Sequence, residues 1–193
     1  MKKPGILIGA LVLSLSAGVY AQTLSLGVSS GLFFPGDKTY RDVYGKSVPL
    51  DFEVRLGLFK YLGLAAGMSY IRDAGQAINV NQGQDVYSVR FRMVSFPLSA
   101  YLLFPLNGIS LLAGAGMSVH SYEETWQTVP LKHKGNRTKP FVYAGVEYRV
   151  LPRVAARLTL RYETIGSGKN PFLANEINLG GLSLLTGVSV RVF

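Results

Sequence analysis

Chemistry in this chain would have to come from very few side chains. The sequence holds two histidines and no cysteine, which removes a thiol nucleophile, a cysteine-ligated metal and a disulfide scaffold. His120 lies two residues after Ser118 and beside Ser121. A Ser/His pair is the minimum for acyl transfer, but no acid stands where it would orient the ring, and a histidine lining a hydrogen-bonded interior is the competing reading. His133 sits in a basic run, Lys132-His133-Lys134 followed by Arg137 and Lys139. That run suits phosphate groups or, more plainly, a solvated loop. Gly114-Ala115-Gly116 lacks the third glycine and the strand-to-helix setting of a phosphate cradle, so it reads as small-residue packing. Metal-ligand spacings are absent, and no cofactor is expected.

The elements that must position these residues follow from composition and period. Of the 193 residues, 48% are hydrophobic and only 16% charged, with 22 glycines and a mean hydropathy of +0.24. A disordered chain is charge-rich and aromatic-poor, so disorder is excluded. Beyond the N-terminus no apolar run approaches the ~18–20 residues of a spanning helix. The N-terminus itself, with Lys2 and Lys3, an apolar stretch from Ile6 to Val19 and a small-residue site ending at Ala21, has the three parts of a secretory signal peptide. Residues 1–21 are therefore expected to be removed, which lowers the formal charge of +9 by two, and residues 22–193 to form one domain.

From Leu24 onward the hydrophobic period is two, the period of strands. Val48, Leu50, Phe52, Val54, Leu56 and Leu58 share one face, against Asp51, Glu53 and Arg55 on the other. Val154, Ala156, Leu158, Leu160 and Tyr162 oppose Arg157, Thr159, Arg161 and Glu163, and Val142 to Val150 oppose Glu147 and Arg149. Weaker alternation marks roughly 24–34, 62–72, 109–121 and 177–192. The stretch 86–104 changes phase, which predicts a bulge near Ser95–Pro97. Eight strands result. Short turns near 59–61, 105–108 and 151–152 alternate with longer segments, 35–47, 73–85, 122–139 and 165–176, expected to be loops.

Alternation alone does not separate a soluble barrel from a membrane barrel; the charged residues of the polar face do. All nine lysines are expected outside strands. The in-strand cations are arginines, Arg55, Arg90, Arg92, Arg149, Arg157, Arg161 and Arg191, whose rigid fork suits buried pairing with carboxylates. Asp51, Glu53, Glu147 and Glu163 are the candidate partners. With the sixth and seventh strands joined at Leu151-Pro152, Glu147 should face Arg157. The predicted fold is an all-β, eight-stranded antiparallel up-and-down transmembrane barrel with a charged interior. Because the arginines point inward, the basic balance implies no nucleic acid.

The signal segment, the short-long alternation and the terminal strand ending LLTGVSVRVF make the chain resemble the small eight-stranded outer-membrane β-barrel proteins of Gram-negative-type bacteria, the porin-like and opacity-type group. The resemblance implies a bacterial outer-membrane location. It also implies that Phe193 matches the C-terminal aromatic read by the barrel-assembly machinery. The expected role is non-enzymatic: envelope structure or binding of a surface ligand through four external loops. Lys132, Lys134, Arg137 and Lys139 would be set against outer-membrane lipid and lipopolysaccharide. A narrow pore leaning towards anions, from seven inward arginines against four acids, and a lipid-modifying enzyme using Ser118 and His120 are the alternatives.

Overall fold

The computed structural model describes residues 22–79, 85–127, 132–164 and 180–193. The expected signal segment, residues 1–21, and most of the fourth expected loop lie outside the described residues. Eight antiparallel strands, β1 (Thr23–Pro35), β2 (Leu50–Gly57), β3 (Leu62–Asn79), β4 (Asp85–Leu106), β5 (Ile109–Trp126), β6 (Lys132–Leu151), β7 (Val154–Glu163) and β8 (Gly181–Arg191), follow one another round a barrel that closes by pairing β8 to β1. Closure leaves no unpaired edge, the condition for crossing hydrocarbon with strands. No described helix is long and apolar enough to span a membrane.

The short turns gather at one end. Asn107-Gly108 joins β4 to β5 with Gly108 at φ 80°, the left-handed geometry that two-residue hairpins require and glycine adopts without strain. Pro152-Arg153 joins β6 to β7, and the start of β1 meets the residues after β8 at this same rim, where Leu24 pairs with Val192 and Phe193. Short turns mark the periplasmic side of such barrels.

The apolar faces point outward. Phe52, Val54, Leu98, Val142, Leu158 and Val188 are all among the exposed large hydrophobic residues. Up β4 the outward residues run apolar from Phe104 to Val94. Ten steps at about 3.3 Å, tilted by about 40°, give a band about 25 Å tall, the hydrocarbon thickness such barrels match. Tyr148, Phe104 and Phe193 rim it below, and Tyr162 above.

Three sequence expectations fail for physical reasons. Segments 73–85 and 122–139 are largely strand, because β3–β4 and β5–β6 continue past the apolar band as two long hairpins. No bulge occurs near Ser95–Pro97: β4 keeps one register with β5 from Val89↔Trp126 to Leu106↔Ile109. The apparent slip has another cause. Val89, Phe91 and Met93 are apolar yet face inward, all buried, in phase with Ser95, Ser99 and Tyr101. The described register shift is instead between Arg149 and Leu151, at the end of the β6–β7 hairpin.

Those inward apolar residues receive α1 (Lys38–Tyr44), a short helix from the β1–β2 connection. Asp37 caps it by accepting from the Tyr40 amide at 2.9 Å, and Gly45 ends it at φ 72°. Tyr40 packs with Phe33, Ile71, Phe91 and Met93, with Tyr44 against the cluster. The helix sits in the mouth of the barrel opposite the short turns.

Candidate functional site

The barrel interior is built from alternate residues of the strands, and β2 contributes its polar side chains in order: Asp51, Glu53, Arg55. Each finds an opposite charge on β6 or β7. Arg161 is bound to Asp51 and Arg157 to Glu53, while Arg55 Nη2 lies 2.5 Å from Glu147 Oε1 and its Nε 3.2 Å from Glu53 Oε1. Since β2 is three and four strands away from β7 and β6, these pairs cross the lumen rather than running along a hairpin. The three rungs form a ladder down the barrel axis. Charge-assisted pairs of this kind are the strong class of hydrogen bonds, and arginine forks supply several donors at once.

The expected Glu147–Arg157 pairing is therefore corrected. Their Cα atoms are direct partners in the β6–β7 register, but each side chain bonds β2 instead. In a narrow barrel, neighbouring inward side chains both extend towards the axis, and a long arginine reaches the far wall as easily as the adjacent strand. The expected seven inward arginines are also corrected. Arg90 and Arg92 alternate to the outer face, and Arg149 and Arg191 are exposed at the short-turn rim. Among the described residues the buried or half-buried interior holds Arg55, Arg157, Arg161 and Lys139 against Asp51, Glu53, Asp73, Glu124, Glu147 and Glu163. The premise of an anion-leaning lumen is lost.

A second polar layer lies above the ladder. His120 is 0% exposed, with Nδ1 2.7 Å from Ser95 Oγ and Nε2 3.4 Å from Glu163 Oε2. The serine bonded to the ring is thus Ser95, not Ser118, whose hydroxyl is buried without a hydrogen-bond partner. Serine, histidine and carboxylate are brought together, yet both Ser118 and His120 are fully buried and offer a lipid ester no approach. Their geometry is that of a buried interior layer in which Ser95 and His120 bond each other.

The mouth is closed by α1. Tyr40 donates to Asp73 Oδ2 at 2.6 Å, Ser47 donates to the same oxygen at 2.5 Å, and Tyr44 donates to Glu124 Oε1 at 3.1 Å. Burial, reinforced by these carboxylates, pushes both phenols well above their ordinary range, so they remain protonated donors. Sequence reading missed Asp73, Glu124 and Tyr40. Their one signal is the apolar inward run at Val89–Met93, which demands an apolar partner inside the barrel.

Nor is the basic run a loop. Lys132, Lys134, Arg137 and Lys139 all lie on β6, so the expectation of no in-strand lysine fails. Alternation splits them: Lys132 and Lys134 face outward and contact Glu123 at 2.7 and 2.9 Å. Lys139 is buried on the inner face, and Arg137, on the same side of the strand, is exposed. Gly114 faces the Tyr143 ring, where an added Cβ would come within 2.5 Å of Cζ; the small residue makes room for an aromatic, as expected of packing.

Residues 7–189 match the family model described as outer membrane protein beta-barrel domain. The fold is similar to that of the outer membrane protein OprG from Pseudomonas aeruginosa (TM-score 0.65, 10% identity, 89% of this chain and 97% of that one). It is also similar to Neisserial surface protein A (TM-score 0.58, 15% identity, 87% and 95%) and to Ail, the attachment invasion locus protein of Yersinia pestis (0.53, 12%, 88% and 96%). No curated protein matches the sequence.

Proposed function

We propose a non-enzymatic, surface-binding and envelope-supporting role for this chain, which belongs to the outer membrane protein beta-barrel domain family and resides in the bacterial outer membrane. The observation that carries the reading is the cross-lumen ladder, Asp51–Arg161, Glu53–Arg157 and Glu147–Arg55, with α1 seated above it. Eight strands leave an interior just wide enough for side chains, and here those side chains bond one another across it. Opening a pore would mean breaking three ion pairs. What remains available to a partner is the pair of hairpins, β3–β4 and β5–β6, that continue above the apolar band, together with the outer wall itself.

In this reading the partners are outer-membrane lipid, including lipopolysaccharide, an as yet unidentified surface ligand, and during biogenesis the barrel-assembly machinery reading Phe193. Phe193 is exposed at the closing seam, its carbonyl accepting from the Leu24 amide at 3.1 Å. Purified protein reconstituted in planar bilayers should show no sustained open-channel level. A steady conductance in the wild type would replace the closed-barrel reading with the pore.

A further inference from the structure

One wall of the barrel carries cations where the apolar band stops. On β4 the outward residues change from Val94 to Arg92 and then Arg90; on β3 they change from Tyr70 to Arg72. The register places Arg72 opposite Arg92, Arg92 opposite Glu123, and Glu123 opposite Lys134, so these four form one lateral row across β3, β4, β5 and β6. Arg90 and Lys132 belong to the row above, flanking Thr125. Five cations and one carboxylate therefore occupy two adjacent rows at the upper edge of a band about 25 Å tall, the depth of lipid headgroups.

Two features make this arrangement costly without an external anion. Arg72 and Arg92 are direct cross-strand neighbours, and like charges in that relation are destabilising. The nearby carboxylate does not relieve them, because Glu123 is held by Lys132 and Lys134. Among the described residues none of the three arginines is in an ion pair. Arg92 rests on Tyr70, with its guanidinium 5.6 Å from the ring centre and Nε donating to the hydroxyl at 3.2 Å. Arg90 lies against the Gln127 amide. Beside them Arg92, Val94, Ser121, Glu123, Lys134 and Asn136 line an open cleft.

We propose that this wall, Arg72, Arg90 and Arg92 with Lys132 and Lys134, is a binding site for the phosphate groups of a phosphorylated glycolipid in the outer leaflet. The proposal rests on the outer-membrane reading above and deepens its lipid partner into a site. A guanidinium fork donates to two phosphate oxygens at once, and neighbouring arginines can share one phosphate. Val94, Phe96 and Val119 continue directly below as lipid-facing apolar surface, so acyl chains can descend along the wall from a headgroup held at the row. A free phosphate would use only the upper half of that surface.

The test compares full-length mature protein in nanodiscs of phosphatidylcholine alone, of phosphatidylcholine with bisphosphorylated lipid A, and of phosphatidylcholine plus soluble pyrophosphate. The readout is the temperature at which the heat-shifted gel band appears. Lipid A should raise that temperature by about 5 °C, pyrophosphate should not, and R72Q/R90Q/R92Q should abolish the rise. K132Q/K134Q should reduce it, while K60Q/R153Q on the opposite rim should keep it in full. An equal rise with pyrophosphate, or a rise retained by R72Q/R90Q/R92Q, would overturn the lipid site. Normal insertion into phosphatidylcholine with no response to lipid A would also overturn it and leave the barrel reading standing. Failure of the wild type to insert into any bilayer would overturn both.

Discussion

The ladder predicts that Glu147 is coupled to Arg55 across the lumen and not to Arg157 beside it. Arg55 has 6% of its side chain exposed and Glu147 12%, with 2.5 Å between their charged atoms. At an effective dielectric of about 20, that distance corresponds to roughly 6–7 kcal/mol of attraction before desolvation, which costs several kcal/mol per ion. A net coupling of about 2 kcal/mol is therefore expected. Arg55→Ala strips Glu147 of its partner and should cost about 3–5 kcal/mol. Glu147→Ala should cost less, about 1–2 kcal/mol, since Arg55 keeps Glu53 at 3.2 Å. Urea unfolding in lipid vesicles, followed by the heat-shifted gel band for the singles and both doubles, gives two coupling energies. The Glu147/Arg157 cycle should come out below about 0.5 kcal/mol. A Glu147/Arg157 coupling above that of Glu147/Arg55 would refute the cross-lumen arrangement and restore a hairpin pair.

The same unfolding assay checks the outer wall. Leu158→Arg, at a lipid-facing position half exposed on β7, should cost about 2–4 kcal/mol, and no interior substitution should rescue it. Gly114→Val would press a side chain into the Tyr143 ring and should cost about 1–3 kcal/mol by overpacking; combining it with Tyr143→Ala should recover part of the loss. Tyr40→Phe removes one donor to Asp73 but leaves Ser47, so a cost of about 1–2 kcal/mol is expected. Hydrogen exchange at α1 amides should accelerate in Tyr40→Phe while exchange in the β7–β8 ladder is unchanged.

Strand number, order and the face of nearly every residue within the apolar band were legible in the sequence, because a lipid-exposed wall and a polar interior impose the same alternation on all eight strands. Of the ionic side chains expected inside, the structure places Asp51, Glu53, Arg55, Glu147, Arg157, Arg161 and Glu163 on the inner face and leaves Arg149 exposed at the rim. Their pairing was not legible, since it depends on which strands stand opposite across a closed lumen, a relation that no local spacing records. The register of β6 and β7 brings Glu147 and Arg157 side by side, and proximity along the sheet was the wrong guide to partnership along the axis.

The errors above the membrane share one origin. Period two identifies which residues share a face, but not whether that face meets lipid or interior. Within the band the surroundings are hydrocarbon, so the apolar set is outside. Where β3–β6 rise beyond it the surroundings are polar headgroups and water, and the preference inverts: Arg72, Arg90, Arg92, Lys132 and Lys134 turn outward while Val89, Phe91 and Met93 turn inward, Phe91 and Met93 onto α1. Along β4 the apolar residues therefore change parity between Met93 and Phe96 although the backbone register never shifts. A phase slip without a bulge thus marks the depth at which a strand leaves the bilayer. The expectation is checked by spin labels at positions 88, 92, 96 and 100. Accessibility to lipid-soluble oxygen should rise between 92 and 96, and accessibility to a water-soluble relaxant should fall over the same step. A crossover at another depth would mean that the inversion reports something other than the membrane edge.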